Sequence, residues 1–102
     1  MGNVVARADQ ANTPSIVTTT GDVLAADTSR RGFAIQNVGQ VPVFVRLGTG
    51  ASTSVFHFVL KGGTADSDGL GGSLMMFDGA TYAGIVSATV ASGTMKIVIT
   101  TY

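Results

Sequence analysis

His57 is the only histidine in the chain, so a hydrolytic relay of the Ser-His-Asp kind would have to be built on it. It stands in a run where Phe56, Phe58 and Leu60 alternate with His57, Val59 and Lys61. That alternation puts the imidazole in mid-strand, on the face opposite the two phenylalanines. No G-x-S-x-G segment supplies a nucleophile elbow. A strand-face histidine without a nucleophile reads as a surface or interface residue, not as a general base.

Asp66-Ser67-Asp68-Gly69 has the look of half a calcium loop, because alternate aspartates can present oxygen ligands to a hard cation. An EF-hand loop counted from Asp66 would need an acidic residue where Phe77 stands, so that motif fails. A different calcium site would have to recruit Asp78 or backbone carbonyls, and a solvated Gly/Asp turn is the plainer reading. Gly48-Thr49-Gly50-Ala51-Ser52-Thr53 begins like a dinucleotide loop, but it lacks the third glycine and the following helix. Gly62-Gly63 and Gly71-Gly72 have no Lys-Ser or Lys-Thr of a phosphate-binding loop. The chain has no cysteine, which excludes disulfides and thiolate zinc sites. These readings leave no catalytic, cofactor or metal residue to name, and the expectation is a protein that is not an enzyme.

Two side-chain sets suit contact better than chemistry. Tyr82, Tyr102 and Phe44 are the aromatics expected to face outward, where such rings anchor interfaces or stack on sugars. Arg30, Arg31 and Arg46 would gather if their strands paired, and could then meet carboxylates on a neighbour.

The elements that would carry these residues are short strands. Ser15–Thr20 is β-branched almost throughout. Gly21-Asp22 reads as a turn, and Val23–Ala25 as a second short strand. Arg31–Val38 alternates, with Phe33 and Ile35 on one face. Val43, Val45 and Leu47 alternate with Phe44 and Arg46, and Pro42 suits the strand entry. These two strands look like a hairpin around Asn37–Gln40. Further strands are expected at Phe56–Leu60, Leu74–Phe77, Tyr82–Val90 with a bulge at Gly84, and Met95–Tyr102. Gly62–Gly72 is a loop. Nothing shows helical periodicity. Seven or eight short strands with frequent turns indicate an all-β antiparallel sandwich or jelly-roll-like barrel, with immunoglobulin-like order also open. Residues 1–14 read as an extended N-terminal arm, and residues 15–102 as a single domain.

Composition bounds the partners. The 102 residues balance six Lys and Arg against six Asp, with no net charge, so no basic excess is available for nucleic acid. Charged residues make up 12% of the chain against about 25% in ordinary soluble domains. Hydrophobic residues make up 45%. That balance points to apolar surface covered by a partner, although a sandwich rich in Gly and Ala would raise the same numbers without any patch. No apolar run is long enough for a membrane helix, and the N-terminus lacks the apolar stretch of a signal peptide.

The segment R-G-F-A-I-Q-N-V-G-Q-V-P-V-F-V-R-L-G from Arg31, followed by F-H-F-V-L from Phe56, Y-A-G-I-V-S-A from Tyr82 and K-I-V-I-T-T-Y from Lys96, resembles small virion proteins of tailed bacteriophages. The likeness covers roughly residues 30–102. It is to head decoration (cement) proteins or to fibre-associated β-sandwiches. It implies a structural protein on the capsid lattice, often a trimer, with no enzyme activity and no cofactor. Its partners would be copies of itself and the major capsid protein or another virion protein, with an N-terminal arm that orders on docking. The resemblance marks no contact residues. From the residues themselves, Val4, Val5 and Arg7 of the arm, the three arginines Arg30, Arg31 and Arg46, and the terminal Tyr102 are the candidate interface. The alternative is a carbohydrate- or receptor-binding module of a tail or fibre, with Tyr82 or Tyr102 as a platform.

Overall fold

The computed structural model describes residues 14–76 and 82–101. Within them run eight strands: β1 (Ser15–Val17), β2 (Gly21–Leu24), β3 (Phe33–Asn37), β4 (Val43–Leu47), β5 (Phe58–Leu60), β6 (Ser73–Met76), β7 (Val86–Thr89) and β8 (Ile97–Thr101). They form two four-stranded antiparallel sheets. Sheet I has the order β1-β8-β3-β6, and sheet II has the order β2-β7-β4-β5.

The pairing is nested. The first strand pairs with the last, β2 with β7, β3 with β6, and β4 with β5. A long antiparallel ribbon folded over on itself gives these four pairs, and the pairs β3–β8 and β4–β7 then close each sheet sideways. This is jelly-roll topology, and it removes the immunoglobulin-like alternative.

Alternation decides what fills the space between the sheets. Phe33 and Ile35 of β3, and Ile97 and Ile99 of β8, point inward from sheet I. Val43 and Val45 of β4, with Val86 and Ala88 of β7, meet them from sheet II. Leu60, Leu74 and Met95 close the ends of this core. The inward period-two pattern is the one the strands display in sequence.

Several expectations change. β3 and β4 are not a hairpin, because they lie in different sheets and the chain between them arches over the end of the core. Alternation shows that both strands bury one face, and it reads the same whether the partner lies alongside or across the core. Among the described residues, β4 and β5 are the only consecutive strands that share a sheet and pair. Gly21 and Asp22 begin β2 and do not form a turn. The ladder irregularity lies between Asp22 and Leu24, not at Gly84. Gly84 precedes β7, where a Cβ would strike the ring of Tyr82. Phe56 and His57 fall just before β5, so His57 is not in mid-strand. Phe77 and Asp78, expected at the end of β6 and in the turn after it, lie outside the described residues.

The arch between β3 and β4 is held by a buried side chain. Asn37 is 1% exposed. Its amide donates to the carbonyls of Val41 at 2.7 Å and Leu60 at 3.0 Å, and its oxygen accepts the Gly39 N–H at 2.9 Å. Its backbone N–H donates to Gly72 at 2.9 Å. The chain at Gly71 lies so close that a Cβ there would overlap the Asn37 carbonyl. Replacing Asn37 with Ala leaves two buried carbonyls and one amide unpartnered, each such loss being of order 1–3 kcal/mol. Asn37→Ala is therefore expected to lower stability in urea denaturation by about 2–4 kcal/mol. A loss below about 1 kcal/mol would show that water replaces the amide.

Candidate interaction surface

The two outer faces of the sandwich differ in kind. The strands of sheet I read SIV, FAIQN, SLMM and IVITT, with no ionisable residue among them. Register aligns Ile16, Val98, Gln36 and Ser73 in one row across the outer face. The adjacent row holds Thr100, Ala34 and Met75. Ile16 is 64% exposed and Met75 is 55% exposed, one near each edge of the sheet. Beside Met75, the side chains of Ala34, Gln36, Ser73, Val98 and Thr100 line a shallow depression of about 260 Å³. Apolar groups of that size facing water from a charge-free sheet are an unfavourable arrangement that a partner surface would relieve.

Sheet II is covered in part by its own chain. Ser87 points outward from β7, yet it is fully buried beneath residues 48–51. Its hydroxyl donates to the Gly48 carbonyl and accepts the Ala51 N–H at 2.9 Å. Arg46 donates to the Thr49 carbonyl at 3.0 Å, and the Thr49 hydroxyl donates to Asp22 at 2.7 Å. This strap thus fastens to β4, β7 and β2 at once. Farther along, Phe56 folds back onto Phe44 edge to face, with centroids 5.1 Å apart. Val55, Phe56 and Val59 remain partly exposed beside it.

The sequence candidates fall in different places. Arg30 is buried, and its guanidinium donates to the carbonyls of Ala25, Tyr82 and Gly84 while lying over the Phe33 ring. It fastens the ends of β2 and β7 and does not present its charge to a neighbour. Arg31 is exposed beside it. Arg46 lies in sheet II, under the strap, so no shared hairpin gathers the three arginines. Tyr82 packs against the core over Gly84 and is not a flat exposed platform. Val4, Val5, Arg7 and Tyr102 lie outside the described residues.

His57 is exposed, and its Nδ1 accepts the N–H of Leu47 at 3.0 Å. In a catalytic triad that nitrogen carries the proton and donates it to a carboxylate, which is the opposite role. Here the ring acts as a clip between β4 and the start of β5, supporting the bond from the His57 N–H to Val45.

Asp68 organises the loop that joins β5 to β6. Its carboxylate accepts the N–H groups of Thr64, Ala65 and Leu70 and the Thr64 hydroxyl, all at 2.8–2.9 Å. Asp66 turns away from it, towards Gln40 at 3.1 Å and Lys96 at 3.7 Å. The two aspartates therefore serve different partners and do not converge on one point. Among the described residues, no cluster of three or more His, Cys, Asp or Glu could hold a metal ion. The expectation of outward aromatics missed Ile16 and Met75; the signal for them was the absence of charge from four strands that turned out to share one sheet.

No family model, no curated protein and no solved structure matches the chain.

The loop around Asp68 gives a pH prediction. The hydrogen bonds from Leu70, Ala65 and Thr64 lower its carboxyl from 3.8 to about 2. A carboxyl lowered on folding stabilises the fold fully above its ordinary value and loses that contribution as pH falls through its folded value. The amide shifts of Thr64, Ala65 and Leu70 are therefore expected to hold steady down to about pH 4 and then to titrate together, with a midpoint near 2. NMR titration checks this, with Asp68→Ala abolishing the step. A shared midpoint near 4 would show that the carboxylate is solvated and not held by the loop.

Proposed function

We propose that this chain is a non-enzymatic structural protein of a tailed-phage virion, a decoration protein that sits on the capsid surface. The observation that carries the reading is the outer face of sheet I, where Ile16 and Met75 stand exposed on strands without charge. A lattice protein needs such a face, because many weak apolar contacts made by neighbouring copies add up to firm attachment. The jelly roll agrees with a virion role, but it also serves lectins and cupins, so the fold alone decides nothing. The resemblance of residues 30–102 to phage decoration and fibre-associated proteins gives the reading its biological setting. On this reading the partners are further copies, in a trimer, and the major capsid protein. The N-terminal arm adds contact on docking. The reading includes no nucleic acid, membrane or cofactor.

The second reading is a glycan- or receptor-binding module of a tail or fibre. It draws on Phe56, which is 40% exposed beside Phe44. The two rings meet at 68°, so they form no coplanar platform for a sugar face.

Cryo-electron microscopy of assembled particles separates the two. Decoration predicts regular density on the capsid lattice, with sheet I turned towards protein. Replacing Ala34 with Asp, which places a charge in the middle of that face, is expected to reduce copies per particle at least tenfold while the purified domain stays folded. Density at the tail or fibre tip, or full occupancy by the Ala34→Asp protein, would overturn the reading.

A further inference from the structure

We infer that the end of the sandwich where the β3–β4 arch meets the entry to β8 holds a binding site for a neutral, polyhydroxylated ligand, a saccharide unit. The inference goes beyond the decoration reading and does not rest on it. The site shares no residue with the depression on sheet I.

Four segments converge there. Thr18 follows β1, Gln40 and Val41 lie on the arch, Asp66 belongs to the β5–β6 loop, and Thr94 and Lys96 precede β8. Together they line an open hollow of about 350 Å³. Small-ligand sites begin at roughly 300 Å³, so the hollow suits a sugar ring and not a large cofactor. Three of the segments are tied directly to one another. Val38 donates to the Lys96 carbonyl at 2.9 Å, Ser67 to the Val38 carbonyl at 2.7 Å, and Gly63 to the Gly39 carbonyl at 2.9 Å. Gly39 lies so near Lys96 that a Cβ there would stand 3.2 Å from the lysine Cβ. Gln40, Asp66 and Lys96 are therefore presented by backbone that holds its shape without a ligand.

The side chains keep unused hydrogen-bonding capacity. The Gln40 amide donates to Asp66 Oδ1 at 3.1 Å, which orients the carboxylate. Lys96 Nζ stands 3.7 Å from Asp66 Oδ2, near enough for attraction and too far for a hydrogen bond. A hydroxyl oxygen about 2.8 Å from both atoms would fill that gap, accepting from the ammonium and donating to the carboxylate. Among the described residues, the hydroxyls of Thr18 and Thr94 have no hydrogen-bond partner.

Charge selects the ligand class. Asp66 opposes an anion, Lys96 opposes a cation, and the lining residues carry no net charge. A neutral ligand meets neither penalty, and a hydroxyl both donates and accepts. Water can bridge Lys96 and Asp66 in the same way. Adjacent hydroxyls on one ring reach the amide and the threonines as well, without ordering a separate molecule at each. Val41 gives the C–H groups of such a ring an apolar contact.

Methyl glycosides of glucose, galactose, mannose and N-acetylglucosamine, titrated singly into isotope-labelled full-length protein, test the site by NMR. At least one is expected to shift the amides of Val41, Asp66, Thr94 and Lys96 saturably, with a Kd of roughly 1–10 mM. Asp66→Ala should weaken that glycoside about tenfold or more, and Thr94→Val about threefold, with unchanged circular dichroism. Thr94→Val keeps the shape of the side chain, so it decides the matter if Asp66→Ala fails to fold. Sodium phosphate and calcium chloride at the same concentrations should leave those amides in place. No saturable shift with any of the glycosides would overturn the inference. So would equal shifts with phosphate or calcium, shifts confined to other parts of the chain, or an affinity unchanged in the folded variants. Purified protein suffices, so the result stands apart from where particle imaging places the protein.

Discussion

A buried amide at the end of β3 is the constraint on which the rest of the sandwich rests. Asn37 continues the inward series of Phe33 and Ile35, so an apolar residue would be the simplest occupant of its position. The chain must instead leave sheet I there, cross the end of the core and enter sheet II at Val43. Such a crossing exposes backbone groups that neither ladder can satisfy. The Asn37 side chain supplies two donors and one acceptor to Val41, Leu60 and Gly39, and so replaces the missing ladder. Neighbouring bonds extend the knot: Val38 donates to Lys96, Gly63 to Gly39, and Ser67 to Val38. The arch, the loop around Asp68 and the entry to β8 therefore form one connected end of the molecule. An amide can do this without the desolvation cost of a charge.

The opposite end solves the same problem with a cation. Arg30 gathers the carbonyls of Ala25, Tyr82 and Gly84, where the chain leaves β2 and approaches β7. Its stacking on Phe33 joins that polar cluster to the apolar core. Asp27 supports the turn by accepting from the Ser29 hydroxyl and backbone, which lowers its carboxyl, while the Ala83 carbonyl accepts from the Asp27 N–H. A sandwich whose consecutive strands mostly change sheets has few tight hairpins to fix its ends. Side chains that collect carbonyls take that role, and this accounts for buried polar residues in a chain otherwise poor in polar groups.

Strand content and the inward set were legible because alternation reports burial directly. Phe33, Ile35, Val43, Val45, Ile97 and Ile99 were all readable as one-face residues, and all are buried. Strand partnership was not legible. β3 and β4 looked like a hairpin because both alternate and only a short connection separates them, yet that connection arches between sheets. The roles of polar residues were equally hidden. Arg30 reads as a surface charge next to Arg31 until the carbonyls of residues more than fifty positions away converge on it. Asp68 reads as one more residue of a solvated Gly/Asp turn until three backbone N–H groups are found on it. Long-range convergence of backbone groups leaves no trace in spacing, and the candidate surface suffered most from this. Sheet I is charge-free only as a sum over four strands scattered from Ser15 to Thr101.

The contrast between the two outer faces bears on what the molecule is for. A strand sequence with both faces apolar is usually covered on both. Sheet II meets this condition only in part, with residues 48–51 laid over Ser87 and Phe56 folded onto Phe44, while Val59 stays exposed. Nothing among the described residues does the same for sheet I, although its outward positions are no more polar than those beneath the strap. Solubility alone would have placed charges there, as it has in the loops, where Asp66, Asp68, Lys61 and Arg31 stand exposed. Among the described residues the charges lie in loops and on sheet II, at Asp22 and Arg46, and the strands of sheet I carry none. Covering that face would take Ile16 and Met75 out of water, and one added charge there would oppose the transfer.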